Sequence, residues 1–372
     1  MVSKKFDIGF IIGSLPLNRP TGGDQVVFRI INSLYKKGFS ICIIVSGNSI
    51  YEDLNISRKK FTSKLEIAKF RFIYYHLLKP FIKIILHILR ICEIFDYASI
   101  ENIPIYVLNI DKKFDIFLKN AFATWWGTAY FLVRSKLESD KLFYLIQNNE
   151  DDSSFSGALS DFARQSYDLP LQKVVINSSL YERFKDSEPI QIPIGIDLNF
   201  WGNVKNKKEN IILFPLREEK YKGGDIILDA LKKVKETIHN FKFIGFGNMA
   251  REKVPSFIEF KGNVSDTDLR TLYSVSKIFV LPSRVEGFSL TNLEAMANEC
   301  ALISTRFKGS ETYLKHMENC ILVNTEDPVA IANALENLII NQDLLLRIAK
   351  KGKETSMKYS EENMVSAFEK LI

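Results

Sequence analysis

Short apolar runs alternate with helical patterns along most of the chain, and this alternation restricts the fold more than any other feature. The runs at 6–12 and 41–45 read FDIGFII and ICIIV, and between them residues 24–38 place apolar side chains at helical spacing before a glycine. A strand, a crossover helix and a second strand make the two strands parallel. Continuous apolar strands that alternate with helices are typical of parallel sheets covered on both faces.

The same alternation occurs in two series, separated by the polar, lysine-rich segment GNVKNKKEN at 202–210. The first series has further candidate strands at 103–110, 141–147, 173–178 and 190–194. The second has candidate strands at 211–216, 241–246, 258–263, 277–282, 301–305 and 320–324, and candidate helices at 225–237, 266–276, 288–298 and 311–317. Because 372 residues exceed one ordinary core, we predict an α/β protein with two doubly wound, Rossmann-like domains.

Composition limits the class of function. The chain is 46% hydrophobic with a net charge of +6, which is typical of a folded, mildly basic protein and not of a nucleic-acid-binding one. The cysteines and histidines lack metal-ligand spacing, so we expect a reducing compartment and no metal site. The short apolar run near the N-terminus fits a buried strand better than a signal peptide, since no cleavage site follows it. No apolar window reaches the roughly 20 residues of a membrane span.

Two strand-to-helix loops are candidate anion sites, because ligands of doubly wound sheets bind beyond the carboxyl ends of strands. Residues 13–25 end in Gly22 and Gly23 before a helix whose free N–H groups could meet an anion; a plain tight turn is the alternative. Residues 214–225 carry Arg217 and Lys222 before a glycine pair, which suits a diphosphate. A solvated charged loop is the alternative there.

A third loop, SRVEGFSLTNLEAMA at 283–297, carries Glu286 and Glu294 eight residues apart. Its segment 287–289 would supply N–H groups to a phosphate at the start of a helix. The two glutamates could instead be the acid/base pair of a hydrolase, but cationic groups that bind a leaving group have no role in that reaction.

The segment GFGNMA at 245–250 matches the dinucleotide-binding pattern GxGxxA after a strand. The following REKVPSF is a poor continuation for the required helix, and no convincing ribose-binding acid ends the next strand. We therefore disfavour NAD(P) binding.

The loops that carry Arg217, Lys222, Glu286 and Glu294 resemble those of the retaining glycosyltransferases of family 4, which have the GT-B fold. The family signature P-S-x-x-E-G-F-G-L-x-x-L-E-A-M-A corresponds to PSRVEGFSLTNLEAMA, and REEKYKGG at 217–224 is similar to its R-x-x-x-x-K-G element. The resemblance is dense over 193–372 and thin before it. There, FATWWGTAYFL (122–132) and FYLIQNNEDD (143–152) look like segments of bacterial rhamnosyltransferases that build surface glycans.

The resemblance implies two Rossmann-like domains that face each other across a cleft. They are an acceptor-binding domain over 1–195 and a nucleotide-sugar-binding domain over 196–355, with a C-terminal helix over 356–372 that returns to the first domain. Arg217, Lys222 and Glu286 would be catalytic: the two cations neutralise the departing diphosphate, and the carboxylate holds sugar hydroxyls. The implied donor-binding residues are Gly22, Gly23, Asn263, Val264, Gly287, Phe288, Ser289, Leu290 and Glu294. Glu294 would hold the ribose, and the glycine pair would reach the donor across the cleft.

The chain departs from the family pattern at several positions. Ser289 replaces a glycine but keeps its backbone N–H, while Glu299 and Ala301 replace a glycine and a proline behind the site. The N-terminal half lacks a clear counterpart of the usual histidine of the family, so the identity of any acceptor-side base stays open.

Residues 58–95 carry nine Lys/Arg against Glu66 and Glu93, a net charge of +7. The stretch suits a helix lying in an anionic membrane surface. The alternative is an internal helix whose lysines reach solvent past apolar neighbours.

We therefore expect a glycosyltransferase that moves a hexosyl or deoxyhexosyl group from a nucleotide-diphosphate sugar to a glycan or polyprenyl-linked acceptor in surface-polysaccharide synthesis. We expect retention, no metal or other cofactor, no nucleic-acid partner and a place at the cytoplasmic face of the membrane. A non-catalytic homologue that binds glycans or nucleotide sugars, or another α/β enzyme, is the alternative. The nucleotide base, the sugar, the acceptor and the linkage stay open.

Overall fold

The computed structural model describes residues 4–13, 22–46, 102–108, 110, 113–152, 156–204 and 206–372; the basic stretch 58–95 lies outside them. The chain forms two compact units. The N-terminal unit comprises Met1–Ile176, Phe184–Ile192 and Val365–Ile372, and the C-terminal unit comprises Asn177–Arg183 and Pro193–Met364. Each unit therefore includes short segments from the other half of the sequence: Asn177–Arg183 belongs to the C-terminal unit, and Val365–Ile372 belongs to the N-terminal unit. No local sequence pattern marks these segments, because long-range packing decides which unit a segment joins.

The N-terminal unit is built on a parallel seven-stranded sheet with the order β3-β2-β1-β4-β5-β6-β7. Its strands are β1 Lys4–Ile12, β2 Ile41–Val45, β3 Ile105–Val107, β4 Lys113–Ala123, β5 Lys136–Ile146, β6 Gln172–Val175 and β7 Ile190–Gln191. The first α-helices of the described chain are α1 Gly22–Lys36, α2 Trp126–Arg134, α3 Ser160–Ser166 and α4 Ser178–Phe184. The predicted strands at 6–12 and 41–45 and the helix between them are confirmed.

Strand β4 is central in this sheet, yet the sequence patterns did not indicate it. Its sequence KFDIFLKNAFA carries charged and amide side chains among the apolar ones, so it is not a continuous apolar run. Lys119 is exposed, whereas Asn120 is buried and donates to the carbonyl of Asp7 at 3.1 Å. This pairing with β1 is what permits a polar side chain in a central strand.

Three phenylalanines stack across the middle of the N-terminal sheet. Phe122 on β4 stacks on Phe10 at 5.3 Å and on Phe143 at 4.6 Å between ring centroids. Phe368, from the C-terminal end of the chain, meets Phe122 edge-on at 5.9 Å and is 1% exposed. These contacts fix the neighbouring strands β1, β4 and β5, whose carboxyl ends are discussed below.

The C-terminal unit is built on a parallel six-stranded sheet with the order β10-β9-β8-β11-β12-β13. Its strands are β8 Glu209–Pro215, β9 Lys242–Phe246, β10 Glu259–Phe260, β11 Ser276–Leu281, β12 Ala301–Thr305 and β13 Ile321–Val323. The remaining α-helices are α5 Leu198–Trp201, α6 Gly224–Val234, α7 Asp266–Val275, α8 Leu290–Ala297, α9 Pro328–Ile340, α10 Gln342–Ser356 and α11 Glu361–Leu371. All six strands predicted in the second series are confirmed, although β10 is shorter than expected.

The predicted helix at 311–317 is wrong. The structure has only a 3₁₀ turn at Ser310–Thr312, followed by a loop. Asn319 explains the difference, because its side chain accepts from the backbone N–H of Lys315 at 2.8 Å and donates to the carbonyl of Tyr313 at 2.8 Å. These side-chain bonds take the backbone groups that a helix would use.

The dinucleotide-like segment GFGNMA lacks the helix that such a motif requires. After β9 the chain turns through Gly247 at φ 136° and continues as a 3₁₀ turn at Arg251–Lys253. Among the residues that the structure describes, no helix is long and apolar enough to cross a membrane.

Candidate functional site

Two loops that leave adjacent strands form the candidate site of the C-terminal unit. Strands β8 and β11 pair in parallel, so the loops 216–223 and 282–289 emerge side by side at one edge of the sheet. The backbone N–H of Arg284 donates to the carbonyl of Tyr221 at 2.8 Å, which links the two loops directly. The sequence predicted both loops as ligand sites, and the structure brings them together.

Lys222 and Glu286 meet between these loops. The lysine Nζ lies 2.9 Å from Oε1 of Glu286, and their side chains are 30% and 13% exposed. The hydroxyl of Ser283 donates to the same carboxylate oxygen at 2.7 Å. Because an ammonium group has three donors, Lys222 can keep this contact and still donate to a bound anion. The Lys222 ammonium is therefore placed to bind an anionic group of a ligand, and the Glu286 carboxylate beside it is placed to accept from hydroxyl groups of the same ligand.

Arg284 fastens the same loops, and the sequence reasoning missed its role. Its guanidinium donates to both carboxylate oxygens of Asp225 at 2.7 and 2.8 Å and also contacts Glu326. Hydrogen bonds from this guanidinium lower the pKa of Asp225, and the two carboxylates raise the pKa of Arg284. The position of Arg284, between the end of β11 and Glu286, was the available signal that this side chain has a role. The sequence could not indicate its partners, because Asp225 and Glu326 lie 59 and 42 positions away.

The start of helix α8 is held in an unusual backbone conformation. Ser289, its N-cap, has φ 68° and makes no side-chain cap bond to the helix. The hydroxyl of Tyr313 holds the preceding turn, donating to the carbonyl of Phe288 at 2.7 Å and to that of Ser289 at 3.2 Å. A positive φ favours glycine, which explains why the resembling signature has glycine at this position. The first N–H groups of α8 receive no bond from the Ser289 side chain and can serve an anion.

The side chains around this helix start are mostly structural. The ring of Phe288 is 2% exposed and stacks on Tyr313 at 4.9 Å, so only the backbone of Phe288 can serve a ligand. The carbonyl of Gly287 accepts from the Asn177 side chain at 2.7 Å, which leaves its N–H as the group available to a ligand. Leu290 is half-buried at the first helical position.

The charges of Glu294 and Arg217 both act on the buried hydroxyl of Tyr273. Glu294, 5% exposed, projects from α8, and Tyr273 of α7 is fully buried, with no hydrogen-bond partner for its hydroxyl among the residues that the structure describes. Burial raises the pKa of Tyr273 well above its ordinary value; the Glu294 charge raises it further, and the Arg217 charge lowers it. The predicted ribose-binding carboxylate and a predicted diphosphate-binding cation therefore both influence one phenol.

The other predicted donor-binding residues lie on different elements. Asn263 is exposed and Val264 is half-buried in the loop between β10 and α7. Gly22 is exposed and Gly23 is half-buried in the first turn of α1, in the N-terminal unit. Their roles stay predictions.

A buried carboxyl group in the N-terminal unit was also missed. Glu150 is 7% exposed and accepts from the hydroxyl of Tyr144 at 2.6 Å and from the backbone N–H of Trp126 at 2.7 Å. Burial raises the pKa of Glu150 to about 8, although these two bonds lower it, and the nearby Asp151 charge raises it slightly. The group supports the turn between β4 and α2, which no sequence spacing linked to position 150.

Glu150→Gln is expected to remove part of the pH dependence of folding stability. The pKa of Glu150 rises from its ordinary 4.5 to about 8 on folding, so the native state binds more protons between these values. The free energy of unfolding should therefore fall as pH rises through this window. The glutamine keeps an oxygen for Tyr144 and Trp126, so the variant should exceed the wild type by a few kcal/mol at pH 9. Urea midpoints from pH 5 to 9 measure this.

The matched control is Glu138→Gln, which changes an exposed carboxyl on β5 of the same sheet. It should leave the pH profile of the wild type unchanged. A Glu150→Gln profile parallel to the wild-type profile would show that Glu150 is ionised throughout this range.

Comparisons with known proteins show what the chain is similar to. Residues 196–355 match the family described as Glycosyl transferases group 1. The chain is 31% identical over 158 residues to an uncharacterized glycosyltransferase of Methanocaldococcus jannaschii, covering 40% of this chain and 44% of that protein. It is 26% identical over 176 residues to an undecaprenol-linked GalNAc α-1,4-N-acetylgalactosaminyltransferase of Campylobacter jejuni, covering 45% and 48%. The chain thus spans about half the length of these curated relatives.

Solved structures show the fold. Sucrose-phosphate synthase from Thermosynechococcus elongatus superposes with a TM-score of 0.66 at 15% identity, covering 99% of this chain and 98% of that one. HepE from Anabaena, in complex with UDP and glucose, gives a TM-score of 0.66 at 13% identity, covering 98% and 99%. The chain therefore has the predicted GT-B fold, with two Rossmann-like domains, and its residues 196–355 are similar to the group 1 glycosyltransferase family.

Proposed function

We propose that this chain is a glycosyltransferase that moves a sugar from a nucleotide-diphosphate sugar to a glycan or lipid-linked acceptor in polysaccharide synthesis. The observation that carries the proposal is the contact of Lys222 with Glu286, at 2.9 Å, where β8 and β11 end inside the matched domain. A cation and a carboxylate side by side suit a ligand that is anionic at one end and rich in hydroxyl groups at the other.

In the proposed reaction, Lys222 and Arg217 neutralise the diphosphate as the bond between sugar and phosphate breaks. The uncapped N–H groups at the start of α8 add donors for the phosphate oxygens. Glu286 holds the sugar hydroxyls and Glu294 the ribose. Stabilisation of the leaving group by these fixed charges would require no metal ion. We extend the proposal to membership of family 4 and to retention at the transferred carbon, on the signature at 282–297.

The acceptor and the location of the protein belong to the same proposal. A relative from Campylobacter jejuni has an undecaprenol-linked saccharide in its name, which supports a lipid-linked acceptor here. We propose that the protein works at the cytoplasmic face of the membrane and that the basic stretch 58–95 attaches it to anionic lipid.

Co-sedimentation of the protein should then be stronger with vesicles that contain anionic lipid than with neutral ones, and equal binding would contradict the electrostatic attachment. Transfer of a deoxyhexose such as rhamnose is the narrower form of the proposal.

A donor panel tests the proposed function. UDP-, GDP-, dTDP- and ADP-sugars are each added to the full chain and the melting temperature is measured. One nucleotide class should raise it, because a ligand at about 100 times its Kd stabilises the native state by roughly 2.7 kcal/mol. Hydrolysis or transfer of that donor then distinguishes an enzyme from a non-catalytic binder. If no nucleotide sugar shifts the melting temperature, the proposal fails.

A further inference from the structure

A second cluster of functional side chains lies in the N-terminal unit, whereas Lys222 and Glu286 belong to the C-terminal unit. Gly13 follows β1, Trp125 follows β4 and Gln147 follows β5, and these three strands are neighbours in the parallel sheet. Their carboxyl ends therefore lie at one edge, together with the first turn of α1. Trp125 and Gln147 lie in the segments 122–132 and 143–152, and the resemblance of these segments implies no role for any residue in them.

Gln147 carries a buried carboxamide oxygen without a partner. The residue is 8% exposed, and its Oε1 has no hydrogen-bond partner among the residues that the structure describes. The carboxamide faces the first turn of α1, since a Cβ built on Gly23 would lie 3.5 Å from Oε1. A buried carboxamide oxygen without a donor is costly, and a ligand hydroxyl would satisfy it.

Trp125 places an aromatic ring at the end of β4, the strand that neighbours β5. The ring lies against two glycines: a Cβ on Gly13 would be 3.3 Å from it, and a Cβ on Gly127 only 2.3 Å. Trp125 is half-buried, whereas its neighbour Trp126 is 1% exposed and belongs to the core. Glycines on both sides make room for the indole at the end of the strand.

Hydrogen bonds from two side chains hold the backbone on both sides of Trp125, between β4 and α2. The hydroxyl oxygen of Thr128 accepts from the N–H groups of Thr124 and Trp125, each at 3.0 Å, and donates to the Trp125 carbonyl at 2.7 Å. The Glu150 carboxylate accepts from the next N–H at 2.7 Å. A fixed aromatic ring loses little conformational entropy when it binds a ligand.

The chemistry of the cluster fits a sugar ring better than an anion. A carboxamide both donates and accepts, as a hydroxyl group does, whereas a phosphate oxygen only accepts and would leave Oε1 without a partner. The apolar face of a pyranose can pack on the indole while its hydroxyl groups bond to the carboxamide.

We propose that Trp125 and Gln147 form a binding subsite for a pyranose ring of the acceptor glycan. The role as an acceptor site rests on the proposed glycosyltransferase function, whereas sugar binding at the cluster does not. The cluster lies on strand ends of the N-terminal sheet, whereas Lys222 and Glu286 lie in the C-terminal unit. Gln147 does face Gly23, a predicted donor-binding residue, so the donor experiments below test the two roles separately.

Saturation-transfer NMR titrations of the full chain test the subsite with methyl pyranosides of glucose, galactose, N-acetylgalactosamine and rhamnose. The wild type should bind at least one of them. Gln147→Leu should weaken that binding about tenfold, and Trp125→Ala should weaken it by at least as much. Trp125→Phe keeps an aromatic face, so its affinity for the pyranoside should lie between those of Trp125→Ala and the wild type. This variant preserves the test if the alanine variant does not fold.

Tyr35→Ala is the control, because it removes an exposed aromatic side chain at the far end of α1. It should leave sugar binding unchanged. The proposal is overturned if the wild type binds no pyranoside of the panel, or if both Gln147→Leu and Trp125→Phe bind as the wild type does.

Donor experiments separate this subsite from the proposed function. Gln147→Leu should keep the melting shift with the nucleotide sugar and the hydrolysis of the donor without acceptor, while raising the KM for the acceptor about tenfold. Loss of the donor-induced shift in this variant would contradict an acceptor role. If the wild type binds pyranosides but no nucleotide sugar, the subsite stands and the glycosyltransferase proposal falls.

Discussion

Lys222→Met is expected to lower kcat/KM for the nucleotide sugar by about two to three orders of magnitude, the usual effect of removing one group that stabilises transition-state charge. Methionine keeps an unbranched side chain of similar length but removes the ammonium group that lies 2.9 Å from Glu286. The developing charge on the leaving diphosphate then loses one of its two proposed cations. Initial rates of donor hydrolysis and of transfer, with the melting temperature as a folding check, measure the effect.

Lys253→Met provides the control for this substitution. Lys253 also pairs with a glutamate, Glu218, at 2.7 Å in the same unit, but it is 59% exposed and lies on the 3₁₀ turn after β9. It should leave kcat/KM within a factor of about two, because exposed ion pairs contribute little. Wild-type turnover in Lys222→Met would remove Lys222 from the mechanism.

A double-substitution cycle with Glu286→Gln refines the test. If Glu286 only positions Lys222, then adding Glu286→Gln to Lys222→Met should cost nothing further. If Glu286 also holds sugar hydroxyls, the double variant should be slower than Lys222→Met alone. The KM for the donor and kcat are compared separately, because a lost ground-state contact raises KM.

The sequence predicted the C-terminal unit well because its strands are continuous apolar runs. The strand ALIST at 301–305 was predicted with its exact bounds, and the loop positions of Lys222 and Glu286 followed from the strands before them. Loops that leave adjacent parallel strands must emerge at one edge. Strand order itself, which makes β8 and β11 neighbours, follows from no local pattern in the sequence.

The misses share a physical cause, which is polar contact that apolar periodicity does not show. Strand β4 was missed because polar side chains interrupt its apolar run, among them Asn120, which donates to Asp7, 113 positions away. The false helix at 311–317 arose because Asn319 bonds back to its own loop. Arg284 and Glu150 likewise owe their roles to partners that no spacing predicts. Apolar periodicity indicates which face is buried, but it does not indicate which polar groups will meet.

Gly223→Ala is expected to destabilise the C-terminal unit by about 3 kcal/mol and to weaken donor binding in the molecules that remain folded. Gly223 has φ 69° and lies between the turn of Lys222 and the start of α6. A Cβ at this position would be 2.0 Å from the carbonyl oxygen of Pro282, which is backbone and cannot rotate away. The two loops would have to separate, and Lys222 would move away from Glu286. Urea unfolding and the melting shift with the best donor measure both effects.

Gly262→Ala separates the steric cost from the backbone cost. Gly262 has φ 65°, close to that of Gly223, but a Cβ there meets nothing within 4 Å. Its substitution should therefore cost only the left-handed conformation, about 1 kcal/mol. The excess loss in Gly223→Ala then reports the contact with Pro282. Equal losses in the two variants would mean that the loops of Lys222 and Glu286 are not packed together, and the ion pair could not be the fixed feature on which donor binding is proposed to depend.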